Sequence, residues 1–453
     1  MNRTVNVIGA GLAGCEAAWQ AAELGCRVNL YEMKPKKKTP AHTSDTYAEL
    51  VCSNSLRSDQ LSNAVGLLKE EMRRLGSLVM EAAYANRVAA GAALAVDREG
   101  FSRYITEKIN THKNITVINE EITEIPKDEI CIVATGPLTS DKMAERIAEL
   151  FGDGLHFFDA AAPIVEFSSI DMNRAFFASR YGKGDPDYIN CPMNEDEYNA
   201  FYDALVSARE AELHDFDREA QKELTVFEGC MPVEVMARRG KDTLRFGPMK
   251  PVGLNHPVTD EEYYAVVQLR RDNREGSMYN IVGFQTHLAI PEQKRVFSMI
   301  PGLENAEFLR YGVMHRNTYI NSPGILCERY FVRENPDLYF AGQMTGVEGY
   351  IESASSGFIA GISAAERALG IRVPSFDDKT AIGALGKYVS EGGTGAFLPM
   401  NVNFGIIAPP DKKIKGGKKV RNEALSARSL EIIDKAAAEL CALRQRVNNE
   451  NCD

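Results

Sequence analysis

The chain has 453 residues, a formal net charge of −11 at neutral pH and nine cysteines. This length exceeds what one hydrophobic core usually supports, so we expect at least two domains. The acidic balance argues against a protein that coats nucleic acid over its whole surface, although it is compatible with a local basic patch. No apolar run approaches the roughly 18 residues of a membrane span. The cysteines form no CxxC pair, which predicts a reducing, cytoplasmic location and no metal site.

A dinucleotide-binding fingerprint opens the chain. The apolar run 5–8 leads into a glycine-rich turn, then an alanine-rich helix, then a second apolar run that ends at Glu32. In such a βαβ unit the glycines admit a pyrophosphate close to the backbone, the helix N-terminus attracts it, and the acid accepts a ribose hydroxyl. Because the first strand begins so early, we expect no signal peptide. Besides Glu32, the predicted nucleotide contacts are Gly9, Ala10, Gly11, Leu12, Ala13 and Gly14.

The next segment contains a lysine-rich loop and a cysteine. Lysines at 34, 36, 37 and 38 indicate either a solvated loop or a phosphate contact near the cofactor. Cys52 precedes a long helix that we expect from about residue 62 to 79. A helix N-terminus and the nearby Arg57 would both favour a thiolate, whereas the alternative is a buried structural cysteine. Further on we expect a helix capped by Asp97 and a strand pair within 115–125.

Two later segments return the chain to the cofactor. An apolar strand at 129–134 ends in Ala-Thr-Gly, which is typical of flavoproteins with two dinucleotide-binding signatures, so Thr135 and Gly136 are predicted contacts. This second signature favours FAD over NAD as the tightly held nucleotide. A third segment runs from a strand at 338–341 through a glycine-rich turn into a helix, whose amides can face a flavin. Its predicted contacts are Gly342, Gln343 and Gly357.

Between the second and third cofactor segments, the sequence pattern differs from that of the nucleotide-binding part. Strand-like runs at 162–167, 264–269 and 280–284 alternate with acidic helical segments such as 195–213, as in an inserted α+β domain. Cys230 lies in a turn of this region, and Arg238 and Arg239 follow it. Taken alone, Cys230 has the same alternative interpretation as Cys52, a buried structural cysteine.

The C-terminal part carries a basic run before a helix that we expect over 422–443. In an acidic protein such a run can join other basic clusters in one face that binds phosphate backbones, the alternative being a solvated loop. Its predicted RNA-contacting members are Lys412, Lys413, Lys415, Lys418 and Lys419.

The predicted fold class is therefore α/β, with a Rossmann-like FAD-binding domain of the two-dinucleotide-binding flavoprotein type and an inserted α+β domain. We place the FAD-binding domain at 1–153 and 328–370, and the insertion at 154–327. The remaining segment, 371–453, is predicted to be helical and basic and to pack on the FAD domain.

Several longer motifs resemble one enzyme family through nearly the whole chain. They include VIGAGLAG, AELVCSNSLRSD, FEGCMPVEVMARRG, IPGLENAEFLRYGVMHRNT and FAGQMTGVEGYIESASSG. Together they resemble the folate- and FAD-dependent tRNA (uracil-5-)-methyltransferases, the TrmFO family. Several of these segments are shared with the related GidA tRNA-modifying flavoproteins, and the two cysteine segments separate the families.

This resemblance implies methylation at C5 of the uridine at position 54 in the tRNA T-loop. Methylenetetrahydrofolate would supply the carbon, FAD would be the bound cofactor, and NADH or NADPH the reductant. Uracil C5 is a poor nucleophile, so a thiolate must add at C6 and a second group must remove the C5 proton. Cys52 and Cys230 stand at the family's positions, with Cys230 favoured as nucleophile. His315, Glu348 and Tyr350 are implied substrate contacts, and Arg238 and Arg239 implied RNA contacts.

The sequence leaves four alternatives to this function open. One is a GidA-like modification of a wobble uridine, which would not need the two cysteines as a pair. Another is the same flavin and folate chemistry on ribosomal RNA. A third is an FAD reductase or oxidase of a small molecule, which the scattered basic clusters disfavour. The last is a flavin-carrying binding module without turnover.

Overall fold

The computed structural model describes residues 3–39, 41–152, 155–182, 185–211, 231–255, 259–312, 314–393, 397–410 and 414–450. Within these ranges, 155–160, 314–318 and 448–450 are described by their backbone alone.

The described strands are numbered in chain order. They are β1 Thr4–Ile8, β2 Arg27–Tyr31, β3 Ser55–Ser58, β4 Arg87–Val88, β5 Ala93–Val96, β6 Ile115–Ile118, β7 Cys131–Val133, β8 Leu155–Ala160, β9 Ile164–Glu166, β10 Phe176–Ala178, β11 Tyr188–Met193, β12 Ala265–Arg271, β13 Met278–Ile281, β14 Phe308–Arg310, β15 Met314–Tyr319, β16 Phe331–Val332 and β17 Asn335–Phe340.

The described α-helices are numbered likewise. They are α1 Leu12–Glu23, α2 Ala64–Leu75, α3 Leu78–Ala85, α4 Arg98–Thr111, α5 Asp141–Phe151, α6 Glu195–Val206, α7 Val233–Arg238, α8 Thr243–Phe246, α9 Ile290–Phe297, α10 Tyr350–Leu369, α11 Ala381–Glu391 and α12 Lys418–Glu450.

A parallel sheet organises the first part of the molecule. Its strand order is β16-β17-β7-β1-β2-β6, and every neighbouring pair is parallel except β16 with β17. The chain moves to one side of β1 through β2 and β6, and to the other through β7 and β17. Ligands of open α/β sheets bind at the carboxyl ends of the strands where the strand order reverses in this way. The carboxyl ends of β1 and β7 are therefore where a nucleotide is expected.

A second sheet, antiparallel throughout, has the order β10-β11-β12-β13-β9-β14. It encloses an apolar core of its own, separate from the core around the parallel sheet. The two-stranded ribbon β8–β15 stands where the chain enters and leaves this region. The small sheet β3-β5-β4 completes the set among the described residues. The predicted boundaries at 153/154, 327/328 and 370/371 remain predictions.

Helices α1 and α10 cross at very short range beneath the parallel sheet. A Cβ at Gly357 would lie 2.1 Å from the carbonyl oxygen of Ala13, and one at Gly361 would lie 2.5 Å from that of Ala17. Only glycine fits such backbone contact. Helices α1 and α10, which belong to the first and last segments predicted to hold the cofactor, are thus packed in direct backbone contact.

The C-terminal helix α12 packs along α2. Asn422 donates to the carbonyl of Ser62 at 3.0 Å, Arg74 pairs with Asp434 at 2.9 Å, and Arg444 donates to the carbonyl of Leu75 at 3.1 Å. These contacts run along most of the length of α2.

Several predicted elements need correction. The helix expected over 62–79 is two helices, because Gly76 takes a left-handed conformation (φ +81°) and Ser77 caps α3 through Met80 N. The strand pair expected within 115–125 is the single short strand β6. The helix expected over 195–213 ends at Val206, and residues 212 and 213 lie outside the described part. The C-terminal helix is longer than the predicted 422–443 at both ends.

Candidate active site

A cavity lies at the carboxyl ends of β1, β2 and β7, where the nucleotide was predicted. Its wall includes Gly9, Gly11, Glu32 and Thr135. The Glu32 carboxylate is buried and accepts the amides of Ala10 at 2.9 Å and Lys34 at 3.0 Å. These bonds hold the acid against the glycine turn, which is the position that an acid needs to meet a ribose hydroxyl.

The glycine turn has the shape of a phosphate cradle. Gly9 has φ +100°, and a Cβ there would lie 2.7 Å from the carbonyl of Ala134, whereas a Cβ at Gly14 would lie 1.7 Å from the carbonyl of Gly9. By contrast, no heavy atom of the described chain lies within 4 Å of a Cβ built on Gly11. Gly11 is also the N-cap of α1, and no side chain caps this helix. Open space in front of uncapped helix amides fits a pyrophosphate. These residues therefore have the geometry that a dinucleotide site requires.

The later predicted contacts surround the same turn. Thr135 lines the cavity, and its hydroxyl donates to that of Thr139 at 2.7 Å. Gly342, at the end of β17, has φ +89° and faces Ala13 of α1, while its amide donates to Ser356 at 2.7 Å. Gly136 is near the cavity wall with φ +72°. The structure therefore gathers the three predicted cofactor segments at one edge of the sheet.

The lysine-rich loop is neither a free basic patch nor fully solvated. Lys34 is buried in the cavity wall and donates to the carbonyl of Thr46. Lys37 pairs with Glu121 and Lys38 with Asp45, each at 2.7 Å. Two of its lysines are thus paired with acids, and the hypothesis that this loop joins one basic face for RNA remains a prediction.

A second cleft contains Cys52. It lies where the parallel-sheet region, the antiparallel sheet and the C-terminal segment meet, and Cys52 is half-buried in it. Its polar lining consists of Cys52, Ser53, Ser55, Arg57, Arg270, Asn280, Gln285, Glu348, Tyr350 and Asn401. The cleft thus brings together side chains that are distant in sequence.

The predicted environment of Cys52 was wrong in one respect. Strand β3 separates Cys52 from α2, so the thiol is not at the N-terminus of the helix that follows it. Instead the N-terminus of another helix, α10, borders the cleft through Gly349 and Tyr350. The Tyr350 hydroxyl oxygen accepts the amides of Cys52 at 2.8 Å and Ser53 at 3.2 Å. Burial raises the pKa of Tyr350, and the neighbouring Cys52 thiol adds to that effect.

Arg57 forms the rim of this cleft and has an unusual backbone. Its φ is +63°, a left-handed conformation that costs energy for a residue with a side chain. Its guanidinium pairs with Glu352, whose side chain is fully buried in the first turn of α10. Beneath it, Lys69 donates to the carbonyls of Leu56 at 2.7 Å and Ser58 at 2.6 Å, and burial lowers the pKa of Lys69 to about 8. These bonds hold the strained segment in place.

Two more arginines fix the backbone just before Cys52. Arg310 donates to the carbonyl of Val51 at 2.8 Å, and Arg98 donates to that of Leu50. Arg98 also pairs bidentately with Asp272, at 2.9 and 3.1 Å. The Cys52 segment is therefore held from several elements at once and lies in a positively charged environment.

Comparisons with known proteins identify the family. A model described as "Glucose inhibited division protein A" matches residues 4–372. A protein of Acetivibrio thermocellus named methylenetetrahydrofolate–tRNA-(uracil-5-)-methyltransferase TrmFO is 63% identical over 95% of this chain and 97% of its own length. A protein of the same name from Heliobacterium modesticaldum is 58% identical over 96% of this chain and 98% of its own. The chain belongs to the TrmFO family.

Solved structures agree on the fold. GidA of Aquifex aeolicus superposes with a TM-score of 0.69 at 17% identity, covering 99% of this chain and 75% of that one. This confirms the α/β flavoprotein fold with an inserted region that the sequence predicts.

Not every residue predicted from the TrmFO motifs can be located. Cys230 lies outside the described residues, and only the backbone of His315, in β15, is described. The first described residue after Cys230 is Met231, which is buried. Two residues further on, the amide of Val233 donates to the carbonyl of Gln285 at 2.7 Å. Gln285 lines the same cleft as Cys52. The described chain just after Cys230 is therefore hydrogen-bonded to a residue of that cleft.

Glu348 and Gln343 form one polar unit at the turn before α10. Gln343 donates to the buried Glu348 carboxylate, and Asn401 donates to the Glu348 carbonyl at 2.6 Å. Glu348 lines the Cys52 cleft, so its predicted role in substrate binding is compatible with its place.

The predicted basic residues are divided among separate elements. Arg238 and Arg239 end α7, where Arg238 pairs with Glu210 at 2.5 Å and Arg239 is exposed. Lys415, Lys418 and Lys419 are exposed around the start of α12, whereas Lys412 and Lys413 lie outside the described residues. No contact between described residues joins the two groups, so one continuous basic face remains a prediction.

No described helix is both long enough and apolar enough to cross a bilayer. In the described ranges, no group of three or more His, Cys, Asp or Glu side chains is arranged to bind a metal ion.

Arg270, Lys69 and Glu352 were not predicted from the sequence. Each is a charged residue of a strand or helix and is buried in the structure. A charge on the inward face of a strand, as in β12, is the one sequence signal that could have indicated Arg270.

Proposed function

We propose that this protein is a methylenetetrahydrofolate- and FAD-dependent methyltransferase that forms 5-methyluridine in tRNA, at position 54 of the T-loop. The observation that carries the proposal is identity of 58–63% over nearly the whole length to proteins named for this activity. NADH or NADPH is the proposed reductant, and the cytoplasm the proposed location. The proposed chemistry requires thiols, flavin and folate, but no metal.

FAD fits the first cavity. Residues 9–14 and the N-terminus of α1 would hold the pyrophosphate, and Glu32 the ribose, while Thr135, Gly136, Gly342, Gln343 and Gly357 complete the surroundings. When bound, FAD supplies the reducing power that turns a one-carbon unit at the methylene level into a methyl group.

Cys52 and Cys230 are the proposed catalytic pair. One thiolate adds to C6 of the uracil, and the other group removes the proton from C5. Support comes from the position of Cys52 in a cleft that Arg57 and Arg270 line. Further support comes from the hydrogen bond that joins Val233, three residues after Cys230, to Gln285 of the same cleft. Which thiol attacks remains open, with Cys230 favoured as before.

Tyr350 has a different proposed role from the substrate contact that the family resemblance implies. Its hydroxyl oxygen already accepts two backbone amides, those of Cys52 and Ser53. We therefore assign it as a positioning residue for the Cys52 turn. His315 and Glu348 stay as proposed substrate contacts.

The decisive experiment transfers labelled carbon to RNA. Purified holoenzyme, NADPH or NADH, and methylenetetrahydrofolate labelled in the methylene group are incubated with an unmodified tRNA transcript. The proposal expects label in 5-methyluridine at position 54 after nucleoside analysis, and none in a transcript with cytidine at that position. Label in a ribosomal RNA fragment, with none in tRNA, would establish the rival substrate instead.

A further inference from the structure

Arg270 is a buried guanidinium fixed beside Cys52. It lies on β12, is 7% exposed and lines the Cys52 cleft. Its Nε donates to the side-chain oxygen of Asn54 at 3.2 Å, and its Nη2 to the hydroxyl of Ser53 at 2.7 Å. Asn54 is fully buried, and its amide donates to the carbonyls of Val96 and Arg271, both at 3.0 Å. The guanidinium is therefore held in one orientation.

Among the described residues, no carboxylate forms an ion pair with this cation. None of the ion pairs between described residues includes Arg270, and the nearby Asp272 is engaged bidentately by Arg98. Two of the five guanidinium N–H groups are thus engaged, by the side chains of Asn54 and Ser53. Burial lowers the pKa of Arg270, and the charge of Arg98 adds to this.

A buried charge without an opposite charge is costly, and such groups are found where an anion or a developing negative charge is to be met. We propose that Arg270 donates to O4 of the target uracil and stabilises the negative charge that this oxygen acquires during the reaction. The inference rests on the proposed function and extends it by one catalytic residue.

The chemistry places charge on O4 twice. When the thiolate sulfur bonds to C6, the C5=C6 electron pair moves to the C4–C5 bond and the C4=O4 pair moves onto O4. When the C5–H bond later breaks, the proton passes to a base and its electron pair moves through C4, again onto O4. Arg270 stays protonated throughout and only donates hydrogen bonds. Its role is therefore the same whichever cysteine attacks C6.

The depth of Arg270 favours the base over the RNA backbone. Ser53, which Arg270 contacts, directly follows Cys52. In uracil, O4 is joined to C6 through only C4 and C5, whereas the nearest phosphate lies beyond the ribose. A guanidinium on the wall of a cleft, beside the cysteine that works at C5 or C6, is within reach of the base.

The first test compares Arg270→Gln with Arg271→Gln. Arg271 is the next residue of β12, so its side chain points to the opposite face of the strand, and it does not line the cleft. We expect Arg270→Gln to lower kcat for methylation by about 100-fold or more, as for loss of a preorganised donor to a developing oxyanion. Flavin content and the rate of flavin reduction by NADPH should match wild type. Arg271→Gln should keep normal kcat, and Arg270→Lys should recover part of the loss.

The second test asks whether the contact is to O4. T-arm RNA is prepared with 4-thiouridine or 2-thiouridine at the target, since a thiocarbonyl is a weaker acceptor than a carbonyl. The 4-thio substitution should change kcat by a different factor in wild type and in Arg270→Gln, and by the same factor in wild type and Arg271→Gln. The 2-thio substitution should have equal effects in all three. If Arg270→Gln loses its flavin, Arg270→Lys takes its place.

Three results would overturn the inference. One is an Arg270→Gln enzyme with normal kcat. Another is an identical 4-thio effect with and without Arg270. The third is a change confined to KM with a shallower salt dependence, which would indicate a phosphate contact. A wild-type enzyme that methylates no RNA would overturn the proposed function itself, and this inference with it.

Discussion

At the scale of single residues, the position of Cys52 is fixed mainly by hydrogen bonds to the backbone around it. Arg98 and Arg310 bind the carbonyls of residues 50 and 51, and Tyr350 binds the amides of Cys52 and Ser53. A reactive group held by long side chains from distant elements has a fixed position without belonging to a helix or strand. Such precision is what covalent catalysis demands of its nucleophile or base.

Replacement of Cys52 by alanine should therefore abolish methylation and leave cofactor binding intact. The glycine turn and Glu32 belong to a different cavity, so the flavin spectrum should stay near that of wild type. Label transfer to tRNA is the measurement. Cys441→Ala is the control, because Cys441 is exposed on α12. Full activity in Cys52→Ala would remove this cysteine from the mechanism.

The sequence indicates Cys52 and Glu32 directly, whereas for Arg270 it offers only a charge on the inward face of a strand. The first two belong to local patterns, a family motif and the end of a βαβ unit. The importance of Arg270 arises only from contacts with Asn54 and Ser53, more than two hundred residues away in sequence. No local pattern encodes such a contact.

At the scale of elements, the glycine turn permits a paired test. In Gly11→Ala the new methyl group would meet no described atom within 4 Å, so the protein should fold normally. That methyl group would nevertheless occupy the space proposed for the pyrophosphate, and the variant should lose FAD affinity by about tenfold or more. In Gly14→Ala the methyl group would collide with the Gly9 carbonyl, so thermal stability should fall as well. The measurements are flavin content and the thermal midpoint of the apoprotein. Equal loss of stability in both variants would contradict this assignment.

The N-terminus of α11 is capped by a carboxylate from another helix. Glu71 of α2 accepts the amides of Ala381 and Ile382, both at 2.8 Å, and the hydroxyl of Ser429. Burial raises the pKa of Glu71 from 4.5 to about 7, although these hydrogen bonds oppose the rise. Glu71 thus joins α2, α11 and α12 through one titratable group.

This raised pKa makes stability depend on pH in a defined direction. Between about pH 4.5 and 7 the folded state binds more protons at Glu71 than the unfolded state does. Stability from this group is therefore greatest below the unfolded pKa and falls as pH rises towards 7. The stability of wild type relative to Glu71→Gln should decrease by about 2–3 kcal/mol between pH 5 and pH 8.

Thermal unfolding at the two pH values measures this difference. Glu439→Gln, which removes an exposed carboxylate from α12, is the control and should shift in parallel with wild type. Parallel pH profiles for wild type and Glu71→Gln would contradict the prediction.

Elements with a strong local pattern were predicted well, and elements that depend on distant partners were not. The sequence placed β1, α1 and β2 within a residue or two, and Asp97 caps α4 as expected, accepting the Gly100 amide at 2.6 Å. The break between α2 and α3 was missed because apolar spacing continues across it. Its capping is completed by Glu16 of α1, which accepts the Val79 amide at 2.9 Å.

At the scale of the whole molecule, the surface offers exposed cations at the start of α12. Replacing Lys415, Lys418 and Lys419 by glutamine should weaken tRNA binding and flatten its salt dependence, since each lost phosphate contact lowers the slope by up to about 0.9. Lys37, Lys38 and Lys387 form a matched control triple, because the net charge changes equally and each pairs with an acid at 2.6–2.7 Å, closer than the 3.9 Å between Lys419 and Glu423. Filter binding over a range of salt concentrations measures the affinity and its salt dependence for both triple variants. Equal effects from the two triples would show that only net charge matters.

The overall fold class followed from three cofactor segments separated by hundreds of residues. The Cys52 cleft did not, because it is formed by segments near residues 52–57, 270–285, 348–351 and 401. Family motifs predict which side chains act in the reaction, and those roles remain predictions. Only the arrangement of the two sheets determines which of them meet.

The β8–β15 ribbon has a consequence for how such a molecule can vary. Leu155 pairs with Tyr319, so the two ends of the intervening region lie side by side where they leave the nucleotide-binding core. The covalent connections of the antiparallel sheet to the nucleotide-binding region thus run through one paired ribbon, while Arg98, Arg270 and Arg310 add hydrogen bonds between the two regions. A change of length within the insertion that spares these contacts leaves the spacing of the chain across the ribbon unchanged.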